Sequence, residues 1–274
     1  MLDGPSIPLD PRVNAWRNDI ADIALAARLF APHYAMPLIR ACGMLATPLR
    51  AEPADGAEQV SELLPGEHFA MLDASGGWAW GYCLADHRVG YVEAIELTEP
   101  LEPTHVVVEA NAPIQSGPDP IATPLSFLPM GSRLHGKRRG ALLAIESGFV
   151  PASYLRRVDE HDEDPAAVAQ RLLNAPWQPG GRTCHGIDAC GLVQLALQLC
   201  GVPAPRDLDL LRQVGEALPE GTPPRRGDLV FCGNFPGLML DDRMVIHVSE
   251  KLGRVTVEPF HCIGAPFERR RVVG

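Results

Sequence analysis

The sequence predicts a mostly β chain, two small all-β barrels followed by an α+β domain, and three observations carry that prediction. A unit of roughly 60 residues occurs twice. A run of acidic residues closes the second copy. Beyond that run, helical periodicity comes first and short β runs follow.

The repeat is read directly from the residues. Pro48-Leu49-Arg50-Ala51-Glu52-Pro53 is echoed by Pro113-Ile114-Gln115-Ser116-Gly117-Pro118. Leu64-Pro65-Gly66 returns as Leu128-Pro129-Met130-Gly131, and Gly90-Tyr91-Val92 returns as Gly148-Phe149-Val150. The three matches keep their order at offsets of 65, 64 and 58 residues. Each copy alternates apolar runs with Gly, Pro and Asp turns, as small antiparallel barrels do. The expected boundaries are 39–100 for the first barrel and 101–160 for the second. Ahead of them, residues 1–38 are expected to form an arm with a short amphipathic helix within 12–34, built on Ile20, Ile23, Leu25 and Leu29.

In the first copy Gly77-Trp78-Ala79-Trp80-Gly81-Tyr82 precedes Gly90-Tyr91-Val92. Alternate residues of a strand share a face, so Trp78 and Trp80 point the same way, and at least one of them is expected to line a groove. Asp159-Glu160-His161-Asp162-Glu163-Asp164 is expected to be a solvated linker. The final unit, 161–274, opens with a helix over Ala166–Leu173. A second helix covers 189–200, with Leu192, Leu195, Ala196 and Leu199 on one face and Gly201 ending it. Leu229-Val230-Phe231, Met244-Val245-Ile246 and Val255-Thr256-Val257 read as strands.

Composition excludes several function classes. The 274 residues are 46% hydrophobic with a formal net charge of −10, and Arg269-Arg270-Arg271 is the densest basic cluster, so nucleic acid is not an expected partner. No window reaches the roughly 18 continuous apolar residues of a membrane span, and Met1-Leu2-Asp3-Gly4-Pro5 lacks a leader pattern; a cytoplasmic location is the expectation. Seven cysteines at irregular spacing suit free thiols. Cys184, His185, Cys190, Cys232, His247, His261 and Cys262 share the last unit without zinc-knuckle spacing, so neither metal nor cofactor is expected.

Chemistry is expected where Gly180-Gly181-Arg182-Thr183-Cys184-His185-Gly186-Ile187-Asp188-Ala189-Cys190-Gly191-Leu192-Val193-Gln194 runs from a loop into a helix. Such a helix N-terminus lowers the pKa of a thiol placed on it. This stretch resembles the signature of the NlpC-type, papain-like cell-wall cysteine peptidases, and Pro205-Arg206-Asp207 and Arg226-Gly227-Asp228-Leu229-Val230-Phe231 agree with it. The barrels resemble bacterial SH3-like domains.

The resemblance implies an α+β papain-like fold and a γ-D-glutamyl-L-diamino acid endopeptidase activity. It also implies that Asp188 holds the amine of the substrate's terminal L-alanine, or else only caps its helix. Placed on that signature, the nucleophile position is Ala189, the base position is Phe235, and the orienting position is His247, twelve residues after Phe235. A methyl group cannot attack a carbonyl, and a phenyl ring accepts no proton. The expectation is therefore a chain that is not an enzyme, a binding or regulatory module for a peptidoglycan-derived peptide or a protein partner. Trp177, Asp188, Cys190, Trp78 and Trp80 are the candidate groove residues. The alternative is an active endopeptidase using a displaced cysteine, or an engineered nucleophile knock-out of one. One helical step turns a side chain by about 100°, so Cys190 is expected to face away from a groove that Ala189 faces.

Overall fold

The computed structural model describes residues 9–119, 122–262 and 267–272; the N-terminal pentapeptide and the Cys262 side chain lie outside what is described. The first barrel is built from β1 (Leu38–Cys42), β2 (Thr47–Arg50), β3 (Gln59–Leu63), β4 (His68–Ser75), β5 (Trp78–Cys83), β6 (Val89–Glu93) and β7 (Leu97–Thr98). They form one antiparallel sheet in the order β3-β2-β6-β5-β4-β1-β7, around Leu49, Leu63, Phe69, Ala79 and Val92.

The second copy contains β8 (His105–Val107), β9 (Asn111–Gln115), β10 (Pro124–Pro129), β11 (Arg133–Leu134), β12 (Lys137–Arg139), β13 (Leu142–Ile145), β14 (Gly148–Pro151) and β15 (Leu155–Arg157). Its sheets run β10-β9-β14-β13-β12 and β11-β8-β15. That is the strand order of the first copy, with β11 and β12 together standing where β4 stands. The closing pairs repeat too. Arg50 faces Tyr91 beside a register shift at Leu49/Arg50, and Gln115 faces Phe149 beside one at Ile114/Gln115. The repeated glycine before each aromatic has a steric cause. A Cβ on Gly90 would lie 2.8 Å from the Arg50 carbonyl oxygen, and one on Gly148 would lie 2.4 Å from that of Gln115.

Among the described residues, the N-terminal arm holds no α-helix. Asp22 accepts the Ala24 N–H at 2.8 Å and caps a single 3-10 turn, Ile23–Leu25, while Ala21–Asp22 pairs in parallel with Tyr34–Ala35. Of the apolar residues expected on one helix face, Ile20 packs with Ala15 against Leu72 and Trp80 of the barrel, while Ile23 is exposed. In the acidic run Asp159, Glu160, His161 and Glu163 are exposed, while Asp162 and Asp164 are tied to the last unit. Asp162 pairs with Arg156 and Arg171, and Asp164 accepts the Ala166 N–H at 2.9 Å to cap α1 (Pro165–Gln170).

The last unit sets α1, α2 (Ala189–Leu199) and α3 (Leu208–Leu211) against an antiparallel sheet. Its strands are β16 (Leu229–Cys232), β17 (Phe235–Met239), β18 (Met244–Ser249), β19 (Arg254–Pro259) and β20 (Phe267–Arg271), in the order β20-β16-β17-β18-β19. Leu192, Leu195, Ala196 and Leu199 of α2 are buried against Leu229, Leu238, Ile246 and Val255. The same core takes in Leu64 and Met130, from the repeated Leu-Pro turns of the two copies. The turns that mark the repeat therefore plug both copies onto α2.

Candidate functional site

The N-terminus of α2 is fixed by Asp188. Its Oδ1 accepts the Gly191 N–H at 2.7 Å, and its Oδ2 accepts the Gly180 N–H at 2.9 Å. Arg206, itself buried, donates to the same Oδ2 at 2.5 Å. The helix sits close on the preceding loop, because a Cβ on Gly191 would lie 2.5 Å from the Gly181 carbonyl oxygen. Asp188 thus caps the helix and pairs with Arg206 at once, and its Oδ1, with one hydrogen bond accepted, has capacity for a further donor.

That cleft, about 330 Å³, lies between the first barrel and the last unit. Glu58, Gln59, Val60 and Arg88 form the barrel wall. Trp177, Asp188, Ala189, Cys190, Arg206, Asp207, Phe235 and Glu250 line the rest. Ala189 and Phe235 therefore share one cleft. Cys190 borders it too, although it also packs against the core beneath α2, as one helical step predicts. Burial, reinforced by the Asp188 carboxylate, pushes the Cys190 thiol up to about 12. Among the described residues that line this cleft, none is a histidine.

His247 lies elsewhere. Ile246 and Val248 point from β18 into the core beneath α2, so His247, between them, points to the opposite sheet face along with Val245. There it lines a second hollow of about 320 Å³ with Cys232, Phe235, Gly237 and Glu258, and its Nε2 is 2.8 Å from Glu258 Oε2. Phe235 is 42% exposed and borders both hollows. It stands as a partition between them, leaving the cleft open.

The two tryptophans of the first barrel are absent from the cleft. They share the outer face of the barrel, where both line a separate hollow of about 340 Å³ with Arg17 of the arm. Trp80 is 3% exposed beneath Arg17, whose guanidinium carbon is 4.4 Å from the ring centroid. Trp78 lies half-buried beside Arg17, Pro53, Asp73 and Tyr91.

The barrel's real contribution is ionic. Arg182 is fully buried; its Nη1 and Nη2 donate to the two oxygens of Glu67 at 2.8 and 3.0 Å, and its backbone N–H donates to Glu62 at 2.6 Å. Burial raises the Glu62 pKa. Arg206 Nε donates to Ser61 Oγ at 3.2 Å. Glu62, Glu67, Ser61 and Arg88 carry no local sequence pattern that marks them, and only the arginines' loops were legible.

Comparison with known proteins fits this geometry. Residues 174–264 match the NlpC/P60 family, and residues 49–97 match the bacterial dipeptidyl-peptidase Sh3 domain. Dipeptidyl-peptidase 6 of Lysinibacillus sphaericus is 26% identical over 230 residues, 73% of this chain and 84% of that protein. The crystal structure of an NlpC/P60 family protein from Bacillus cereus superposes with a TM-score of 0.74 at 15% identity, over 86% of this chain and 100% of that one. An NlpC/P60 endopeptidase from Photobacterium damselae subsp. piscicida gives a TM-score of 0.59 at 13% identity, over 82% of this chain and 66% of that one. At such identities the structural likeness establishes the fold. The expectation that the chain is not an enzyme, drawn from Ala189 and Phe235, is corrected by the relative from Lysinibacillus sphaericus, which is named a dipeptidyl-peptidase and points to an enzyme.

Proposed function

On the premise that this chain joins a bacterial SH3 domain to an NlpC/P60 domain, we propose that its cleft receives the amino-terminal end of a peptidoglycan-derived stem peptide and that Cys190 carries hydrolysis there. The observation that carries the reading is the position of Asp188. Its carboxylate is locked at the start of α2, on the cleft wall beside the nucleophile position and opposite the barrel segment Glu58–Val60. A carboxylate so held offers a fixed acceptor to an ammonium group, and Trp177, 38% exposed, offers an apolar wall for the peptide behind it.

Ala189 offers no electron pair, so attack in this cleft falls to the sulfur one residue on. Cys190 is the thiol that borders the cleft. As a neutral thiol it is a poor nucleophile, and about one molecule in 10⁵ is a thiolate at pH 7. Slow turnover is the expected consequence.

The test uses L-Ala-γ-D-Glu-diaminopimelate with the full chain, following binding by calorimetry and products by mass spectrometry. Saturable binding with slow release of the dipeptide, abolished in Cys190→Ser, is the expected result. No saturable binding would overturn the cleft as a stem-peptide site. Turnover that survives Cys190→Ser, or binding with no turnover at any pH, would remove Cys190 from the reaction.

A further inference from the structure

Three buried or nearly buried arginines meet where the first barrel joins the last unit, and they are unequally satisfied. The Arg182 guanidinium donates to Glu62 O, to both oxygens of Glu67 and to Gln198. Arg206 donates to Asp188 and to Ser61. Arg88 differs. Among the described residues its guanidinium makes one hydrogen bond, Nη1 to Asp207 Oδ2 at 3.0 Å; its Nε, like that of Arg182, is buried without a partner, but Arg182 satisfies its other donors and Arg88 does not. A guanidinium has five N–H donors in a planar fork.

The one acid that the Arg88 guanidinium hydrogen-bonds is itself shared. Asp207 Oδ1 lies 3.5 Å from Arg12 Nη1, and Arg12 is in turn held by Asp10 and Asp209. The Arg88 side chain is only 11% exposed, so water does little to compensate its charge. Burial pulls its pKa below the ordinary guanidinium value, the sign of a cation short of partners. Yet Arg88 lines the cleft.

The other charges around the cleft do not supply the missing partner. Asp188 is taken by Arg206. Glu58 and Glu250 are exposed at the rim, where solvent screens them. What remains is a fork of donors in a largely dry wall, contributed by the barrel rather than by the peptidase-like domain.

We propose that Arg88 binds a carboxylate of the peptide that enters the cleft and thereby gives the site its preference for an acidic residue; this rests on the cleft being a stem-peptide site. A carboxylate matches the guanidinium fork in two parallel hydrogen bonds. A γ-linked D-glutamyl residue carries such a group, because its chain runs through the side-chain carboxyl and leaves the α-carboxylate unlinked.

The experiment compares two probes by calorimetry on the full chain: L-Ala-γ-D-Glu-diaminopimelate and the same peptide with the glutamyl α-carboxylate amidated. The unmodified chain is expected to favour the acid over the amide by about tenfold or more, as a charge-assisted pair requires. In Arg88→Gln that ratio falls to about one, and in Arg88→Lys, which keeps the charge but loses the fork, it lies between. No preference in the unmodified chain overturns the proposal whatever the variants do, as does a preference that survives Arg88→Gln. If the unmodified chain binds neither peptide, the stem-peptide reading itself fails, and this inference with it.

Discussion

At the scale of single residues, Ala189 and Phe235, the expected nucleophile and base positions, line one cleft. A thiol and an imidazole placed there act as a unit, so neither alone is expected to help. Ala189→Cys and Phe235→His singly should leave turnover of the stem tripeptide near that of the unmodified chain. The double variant should raise it by at least a hundredfold, measured as dipeptide release at pH 7. Equal rates in the double and single variants would mean that Phe235 does not occupy the base position.

Cys190 adds a pH dependence whose sign is fixed. Its thiol is pushed up to about 12, so turnover carried by it should climb about tenfold per pH unit between pH 7 and 10. The same shift acts on stability. The folded-state pKa exceeds that of the unfolded thiol, so the contribution is complete below about pH 8.5 and is lost as pH rises toward 12. A bell-shaped rate profile centred near neutrality would exclude Cys190 as the nucleophile.

At the scale of elements, α2 shows why a short signature can be so informative. Its start is specified locally: Asp188 caps it, and Gly191 lets it approach the Gly181 carbonyl. Gly191→Ala forces a methyl group to within 2.5 Å of that oxygen unless the backbone moves. The expected cost is about 1–3 kcal/mol, read as a lowered melting temperature. An unchanged melting temperature would mean that the loop yields freely. The opposite case is β5. Its alternation correctly places Trp78 and Trp80 on one face, but alternation cannot say whether that face meets solvent, a ligand or another part of the chain. Here Ala15 and Ile20 of the arm pack on Trp80, and the rest of the face borders a separate hollow with Trp78.

At the scale of the whole molecule, the barrels and the last unit are joined by one core and one ionic lock. Leu64 and Met130 enter the core beneath α2, and Glu67 holds Arg182 bidentately in a dry environment. Glu67→Ala leaves a buried guanidinium without its counter-charge, and a loss of about 3–5 kcal/mol is expected in denaturant titration. Because Arg182 lies six residues before Asp188, the same variant should also weaken peptide binding. A Glu67→Ala chain as stable as the unmodified one would show the lock to be dispensable. On this reading the first barrel builds one wall of the cleft and holds the loop that forms the other.

The twofold repeat and the capped helix of the last unit are legible from the residues alone. These are short-range properties: turn glycines, caps and periodicity act within a few residues. Only the tertiary structure decided that Trp80 is covered, that Cys190 borders the cleft and His247 the neighbouring hollow, and that Arg182 finds Glu67 across 115 residues of chain. Periodicity reports which side chains share a face. What covers that face, and which distant charge answers a buried one, is settled only when the units pack and water leaves the junction.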